Sequence, residues 1–164
     1  MSGRGVDLPS LLMVLLFTAN LVVAFWDPFR TMGFVMAGKA LIVVSAVIFV
    51  YTVAYLRRGF FGETEPVLKH LVTGGPYRFC RHPLYLSFIV LILGLDLWLG
   101  SILGVAHTLL LSIPSAVYRA RVEDRLLREK FGAEWVAYAE RVGFLLPKLT
   151  RDRSKRNGLV DSSR

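Results

Sequence analysis

The stretch "GGPYRFCRHPLYLSFIVLILGLDLWLGSILGVAHTLLLSIPSAVY", residues 74–118, decides the fold. Pro83–Gly100 is 18 residues long with Asp96 as its only charge, and Ser101–Tyr118 is another 18 with none. Eighteen helical residues reach roughly 27 Å, close to the thickness of a bilayer's hydrocarbon core. The turn "GLDLWLGS", residues 94–101, divides them into a hairpin. Pro83 suits the first turn of a helix, where its missing N–H costs nothing. The polar, backbone-restricted run before it therefore meets a membrane-type helix at a sharp corner.

Working outward, Leu8–Phe25 holds 18 uncharged residues, and Met32–Leu56 holds 25 with Lys39 as the only charge. The first has only Arg4 before it and "FWDPFR" after it, a poor cleavage site, so it reads as a retained span. A bilayer requires backbone hydrogen bonds to be met internally, and no run alternates with period two, so helices are expected rather than a barrel. The fold class is an all-α integral membrane protein with about four transmembrane helices, over 8–25, 32–56, 83–100 and 101–118. The chain of 164 residues is 54% hydrophobic, with a mean hydropathy of +0.52. In that setting the net charge of +8 points to a membrane surface rather than nucleic acid. Cys80 is the single cysteine, which excludes an intrachain disulfide and any multi-cysteine metal site.

Charge placement sets the topology. Seventeen of the 20 Lys and Arg lie in two blocks, residues 57–82 and 119–164. Two spans separate the blocks, so both emerge on one side, which the positive-inside rule makes the cytoplasmic side. Two further spans return the N-terminus there as well. The host membrane would be the plasma membrane in a prokaryote and the endoplasmic reticulum in a eukaryote. Asp96, at the hairpin turn, reads as an ordinary interfacial residue beside the interfacial anchor Trp98. His107 lies mid-span and reads as a neutral histidine bonded to a neighbouring helix. Pro114 is expected to kink the last span. After Tyr118, apolar residues at Val122, Leu126, Leu127, Phe131, Trp135, Tyr138 and Val142 mix with charges at helical spacing. This predicts a C-terminal amphipathic helix along the cytoplasmic headgroups, bent at Gly132. Residues 1–149 form the membrane domain, and 150–164 form a basic, disordered tail that tethers electrostatically to anionic lipid.

Two polar clusters then share the cytoplasmic face: the loop from Lys69 to Tyr85, and the start of the amphipathic helix. Arg119 and Glu123 stand four apart and share a helix face, in the order less favourable for a mutual salt bridge. "TGGPY" is too short of glycines for a dinucleotide fingerprint, and no Walker loop occurs. His82 lacks a second ligand at metal spacing, and no serine sits in a nucleophile elbow. What remains is a basic, aromatic pocket that could hold a polar cofactor on the water side and a lipid-like substrate from the bilayer.

The runs "LVTGGPYRFCRHPLYLSF", "RARVEDRLLREKFGAEWVAYAERV" and "LLP" (71–88, 119–142 and 145–147) resemble the isoprenylcysteine carboxyl methyltransferases. The related membrane phospholipid methyltransferases share much of this pattern, which covers Lys69 to Pro147. The resemblance implies an integral-membrane methyltransferase that uses S-adenosyl-L-methionine without a Rossmann fold and without a metal. By that likeness the cofactor is held by Lys69, His70, Leu71, Val72, Tyr77, His82, Pro83, Leu84, Tyr85 and Glu123. Arg119 meets the substrate carboxylate, and Arg119 and Glu123 are the catalytic pair. Two departures stand out: Lys69 occupies a position where eukaryotic members often have histidine, and the acidic run after the arginine is reduced to Glu123 and Asp124.

Three readings follow from these residues. The first is carboxyl O-methylation of an isoprenylcysteine-like lipophilic acid that enters from the bilayer. The second keeps the cofactor and changes the acceptor to a phospholipid amine or a small lipophilic molecule. The third is a non-enzymatic four-span scaffold with a basic anchor; oligomeric state is not encoded in any recognisable pattern. The topology has a direct test. Cysteines at Glu65 and Ser154, each in a Cys80→Ser background, should resist an impermeant thiol reagent in intact cells. Labelling at either position without lysis overturns the four-span arrangement.

Overall fold

The computed structural model describes residues 8–31, 33–62 and 71–148, so Lys69, His70 and the expected tail lie outside the described residues. It contains helices α1 (Leu8–Trp26), α2 (Val35–Gly62) and α3 (Pro83–Leu99). These are followed by α4 (Ile102–Phe131) and α5 (Ala133–Arg141), with a short 3-10 turn at Gly75–Arg78 before α3. No strand occurs among the described residues. Three segments are long and apolar enough to cross a membrane: α1, Val35–Leu56 of α2, and α4. Helix α3 is apolar but has 17 residues, about 25 Å of helix, and so falls just short of the expected fourth span.

Most exposed positions on α1 and α2 are apolar, as expected for helices whose solvent is lipid. On α1 the covered positions are Pro9, Ser10, Met13, Leu16, Phe17, Asn20, Val23 and Ala24, a stripe with helical spacing. Lipid removes the hydrophobic drive between such helices, so close packing of small residues must hold them. Helices α2 and α3 show how. A Cβ at Gly38 would collide with the backbone of Trp98 and lie 2.7 Å from the Gly94 oxygen, so the two backbones touch. One side of Gly94 likewise has only 3.0 Å to the Ile42 nitrogen, and farther along Ser45 Oγ donates to the Ser87 oxygen at 3.0 Å.

A second seam joins α1 to α3 and α4, and it corrects the expectation for Asp96. That side chain has no exposed surface. Its Oδ1 accepts from Asn20 Nδ2 at 2.8 Å, and its Oδ2 accepts from Thr108 Oγ1 at 2.5 Å, so one carboxyl ties three helices. Asn20 and Thr108 are equally buried. The reason is local: α3 runs on to Leu99, which places Asp96 in its last turn, facing inward, rather than in the hairpin loop. Gly100 makes the turn at φ +68°, where its bare Cα lets Thr31 N donate to its oxygen at 2.8 Å. Next to it Asp27 accepts from Ser101 Oγ at 2.7 Å and from the Leu103 N–H at 2.8 Å. Burial pulls the Asp27 pKa upward, but hydrogen bonds from Ser101, Phe29 and Leu103, with Arg30 nearby, bring it below the ordinary value.

Helix α4 departs from expectation twice. The disturbance assigned to Pro114 takes the form of a π turn at Thr108–Ser112, in which the Ile113 N–H reaches back five residues to the Thr108 oxygen. Proline cannot donate to the preceding turn and crowds it, and a wider turn just upstream relieves the conflict. His107 then has Ser112 Oγ 3.3 Å from its Nδ1, a partner in its own helix rather than a neighbouring one. The second departure is length. Between Pro114 and Gly132 no glycine or proline interrupts "SAVYRARVEDRLLREKF", so the helix does not stop at the membrane edge. Its 30 residues span about 45 Å, more than the roughly 30 Å thickness of a hydrocarbon core. Only the short α5 turns back at Gly132, and its apolar residues Trp135 and Tyr138 are buried by protein.

Replacing Asn20 by alanine leaves a buried carboxyl oxygen short of its donor. The expected loss is about 1–3 kcal/mol of stability, read as an earlier thermal unfolding midpoint in detergent. Thr18→Ala, on the exposed face of the same helix, should shift the midpoint little.

Candidate active site

The polar corner is built on glycines. A Cβ at Gly74 would strike the Tyr55 hydroxyl, and one at Gly75 would enter the Tyr55 ring, so the loop lies directly on α2. Gly75 sits at φ +54°, a conformation glycine adopts without strain. The 3-10 turn that follows aims Tyr77 inward, and Pro83 starts α3. Residues 80–82 are then clasped by the chain after α5: Arg81 N donates to the Gly143 oxygen at 2.9 Å, and His82 N donates to the Phe144 oxygen at 3.3 Å. Tyr138 Oη donates to the Tyr77 oxygen at 2.8 Å, which fixes α5 on the same corner.

From this corner three side chains reach α4. Asp124 holds Arg81 Nη1 at 2.8 Å through one oxygen and His82 Nε2 at 2.9 Å through the other. Tyr85 Oη donates to Glu123 Oε2 at 2.9 Å. Arg119 Nη1 stands 4.0 Å from that same Glu123 oxygen, at the limit of an ion pair, as the unfavourable helical order implied. Its Nε instead donates to Ser10 Oγ, 2.6 Å away on α1. The Arg81 guanidinium also lies over the rings of Trp135 and Phe144, with centroids at 5.3 and 5.4 Å.

These groups surround a cavity of about 590 Å³, within the range of small-molecule sites. Leu56 of α2 forms one wall, with Leu71, Val72, Tyr77, Arg81 and Tyr85 from the corner. Arg119, Glu123, Asp124, Leu126, Leu127, Lys130 and Phe131 of α4 form another, and Trp135 and Tyr138 of α5 close it. Of the expected site residues, Leu71, Val72, Tyr77, Tyr85, Arg119 and Glu123 come together here. Three do not join the wall. His82 and Pro83 are buried behind it, and Leu84 lies on another side of α3. His82 was expected to bond a ligand directly; its Nε2 is spent on Asp124 because α4 passes within reach.

Burial pushes the Tyr77 phenol up to about 12, with Glu123 and Cys80 adding to it, so Tyr77 remains a neutral phenol at physiological pH. Burial likewise raises Tyr138 and the Cys80 thiol, leaving the cysteine unreactive. Among the described residues, Arg81 Nε and Trp135 Nε1, both donors of the wall, are buried without an acceptor. Sequence reasoning missed Arg81, Asp124, Trp135 and Tyr138. The signals were adjacency, since Arg81 and Asp124 sit beside His82 and Glu123, and the three-residue spacing of Trp135 and Tyr138 just after Gly132.

The sequence pattern of the family described as phospholipid methyltransferase matches residues 29–134. The chain is 40% identical over 95 residues to the nickel-cobalt-cadmium resistance protein NccN of Alcaligenes xylosoxydans xylosoxydans, covering 55% of this chain and 42% of that protein. It is 35% identical over 77 residues to protein-S-isoprenylcysteine O-methyltransferase of Saccharomyces cerevisiae, covering 47% and 32%. It is 33% identical over 73 residues to methanethiol S-methyltransferase 1 of Bradyrhizobium diazoefficiens, covering 43% and 24%. The chain thus spans less than half the length of these relatives. A match across more than half its residues means that the chain belongs to the phospholipid methyltransferase family.

Proposed function

We propose that this chain is a membrane-embedded, S-adenosyl-L-methionine-dependent methyltransferase acting on a lipophilic carboxylate of the isoprenylcysteine type. The observation that carries the reading is the convergence of Tyr77, Tyr85, Arg119 and Glu123 on one cavity at the end of the membrane helices. The residues present suit the cofactor. The Glu123 carboxylate, about 40% exposed, suits an ammonium or ribose hydroxyls, and Tyr77 and Tyr85 offer phenols. The aromatic and leucine walls suit a purine. The buried N–H groups of Trp135 and Arg81 carry a desolvation cost of about 1–3 kcal/mol each, which acceptor oxygens of a ligand would relieve after a small adjustment of the wall. When bound, the cofactor supplies an electrophilic methyl on a sulfonium.

The protein's own part is mainly positioning. Arg119 grips an acidic acceptor, since guanidinium and carboxylate match bidentately. The corner and α4, joined by Asp124, hold the two reactants in line, a proximity effect. The leucines at the α2 and α4 walls offer an apolar passage for a substrate arriving from the bilayer. With α3 read as a short fourth crossing, the basic blocks at 57–82 and 119–164 support a cytoplasmic side for this site and both termini.

The choice of a carboxylate acceptor rests on Asp124. A carboxylate is already ionised near neutral pH and needs no base, whereas a phospholipid amine must lose a proton. Asp124 already holds the Arg81 guanidinium and the His82 imidazole, one on each oxygen, and Glu123 already accepts from Tyr85. An amine acceptor, the second reading, would have to rely on Glu123 alone.

Purified protein in detergent should bind S-adenosylhomocysteine in isothermal titration. Glu123→Ala should weaken that binding by about 1.5–3 kcal/mol, the loss of a charged hydrogen bond. No heat from the wild type would sink the cofactor assignment. Arg119→Lys should lose methylation of a prenylcysteine while keeping cofactor affinity near wild type, because lysine lacks the bidentate fork. Full activity of that variant would refute the carboxylate role.

A further inference from the structure

The segment that matches the family begins at residue 29, so the whole of α1 lies outside it. Yet α1 reaches the site. Ser10, in its first turn, accepts from Arg119 Nε at 2.6 Å, although the two residues are 109 apart in sequence. We infer that Ser10 is a positioning residue for the acceptor: it orients the Arg119 guanidinium, so that α1 takes part in substrate engagement. The inference rests on the methyltransferase reading above.

The argument is geometric. A guanidinium is a rigid plane, and bidentate recognition works only when that plane faces its partner. Glu123 approaches Nη1 to no closer than 4.0 Å, at the edge of an ion pair, whereas the Nε–H donates to Ser10 Oγ at 2.6 Å. Because Nε–H lies in the guanidinium plane, the Ser10 bond restrains the turning of that plane about the Cδ–Nε bond. Ser10 itself is held in place, since α1 is pinned farther along by Asn20 to Asp96 and Thr108. Between these points α1 packs against both halves of α4. The Arg119 side chain is only 19% exposed, so water does not easily replace the serine hydroxyl.

The test compares Ser10→Ala, Ser10→Thr and Thr18→Val, the last on the exposed face of α1. The probe is N-acetyl-S-farnesylcysteine, with S-adenosylhomocysteine titrated in parallel. In Ser10→Ala the KM for the probe should rise about tenfold, as for one charge-assisted hydrogen bond. The turnover number and S-adenosylhomocysteine affinity should stay near wild type. Ser10→Thr, which keeps the hydroxyl, should restore KM, and Thr18→Val should not change it. Independently, the Nε–H resonance of Arg119, assigned by its loss in Arg119→Lys, should move in Ser10→Ala and remain in Ser10→Thr. An unchanged KM in Ser10→Ala overturns the proposal, as does a KM that rises equally in Thr18→Val. If the wild type neither binds S-adenosylhomocysteine nor methylates the probe, the enzymatic reading has failed. The resonance alone then decides whether Ser10 holds Arg119, and an unmoved signal overturns that too.

Discussion

The clamp on Asp124 is the interaction on which the site depends. Its two oxygens take Arg81 and His82, residues adjacent in sequence that belong to the corner before α3, while Asp124 belongs to α4. Partly buried charges cost several kcal/mol to desolvate and are tolerated only when their geometry is good and their hydrogen bonds are met. Here both carboxylate oxygens are used. The arginine lies over two aromatic rings, and the histidine ring packs edge-on against Phe144 at 5.1 Å. Together with the Tyr85–Glu123 hydrogen bond, this clamp fixes the distance from Tyr77 and Tyr85 to Arg119 and Glu123. The cavity is the space that the clamp leaves between the corner and the helix.

The membrane half serves this arrangement by being stiff in two different ways. Helices α2 and α3 approach until their backbones touch at Gly38 and Gly94, which only glycine permits. Helices α1, α3 and α4 are joined instead by side-chain hydrogen bonds centred on Asp96, with small residues Gly104, Ser112, Ser115, Ala116 and Ala120 buried along α4. Both devices suit a solvent in which apolar surface has no preference between lipid and protein. The first sets the platform under the Gly74–Gly75 loop, since Tyr55 projects from α2. The second sets where α1 ends, and hence where Ser10 meets Arg119.

Much of this was legible in the residues because membrane helices and motif spacing are strong signals. The oily runs marked α1, α2, α3 and the first half of α4, and the Arg-His-Pro-x-Tyr and Arg-x-x-x-Glu patterns marked both sides of the cavity. What was not legible depends on direction. Whether Asp96 faces in or out turns on one residue of helix length at a hairpin. Whether the charged segment starts a new helix or continues the span before it depends on the absence of a breaker, a weaker cue than amphipathic spacing. His82 and Asp124 illustrate the limit at the site itself. Sequence shows a histidine beside a tyrosine and two neighbouring acids, but the pairing across 42 positions is set by tertiary packing. Ser10 carries no local signal at all.

The π turn at Thr108–Ser112 has a consequence for the geometry of the whole of α4. A π turn takes up one more residue than a regular turn without advancing the helix by another turn. It therefore acts as a phase shift: every side chain downstream is carried about 100° around the axis relative to an uninterrupted helix. The half before it lays Gly104 against the hydrogen-bonded seam, the turn itself gives Thr108 to that seam, and the half after it presents Arg119, Glu123 and Asp124 to the cavity. One helix thus keeps two separately clocked faces, a structural one along the hydrogen-bonded seam and a chemical one at the cavity, with the angle between them stored in five residues.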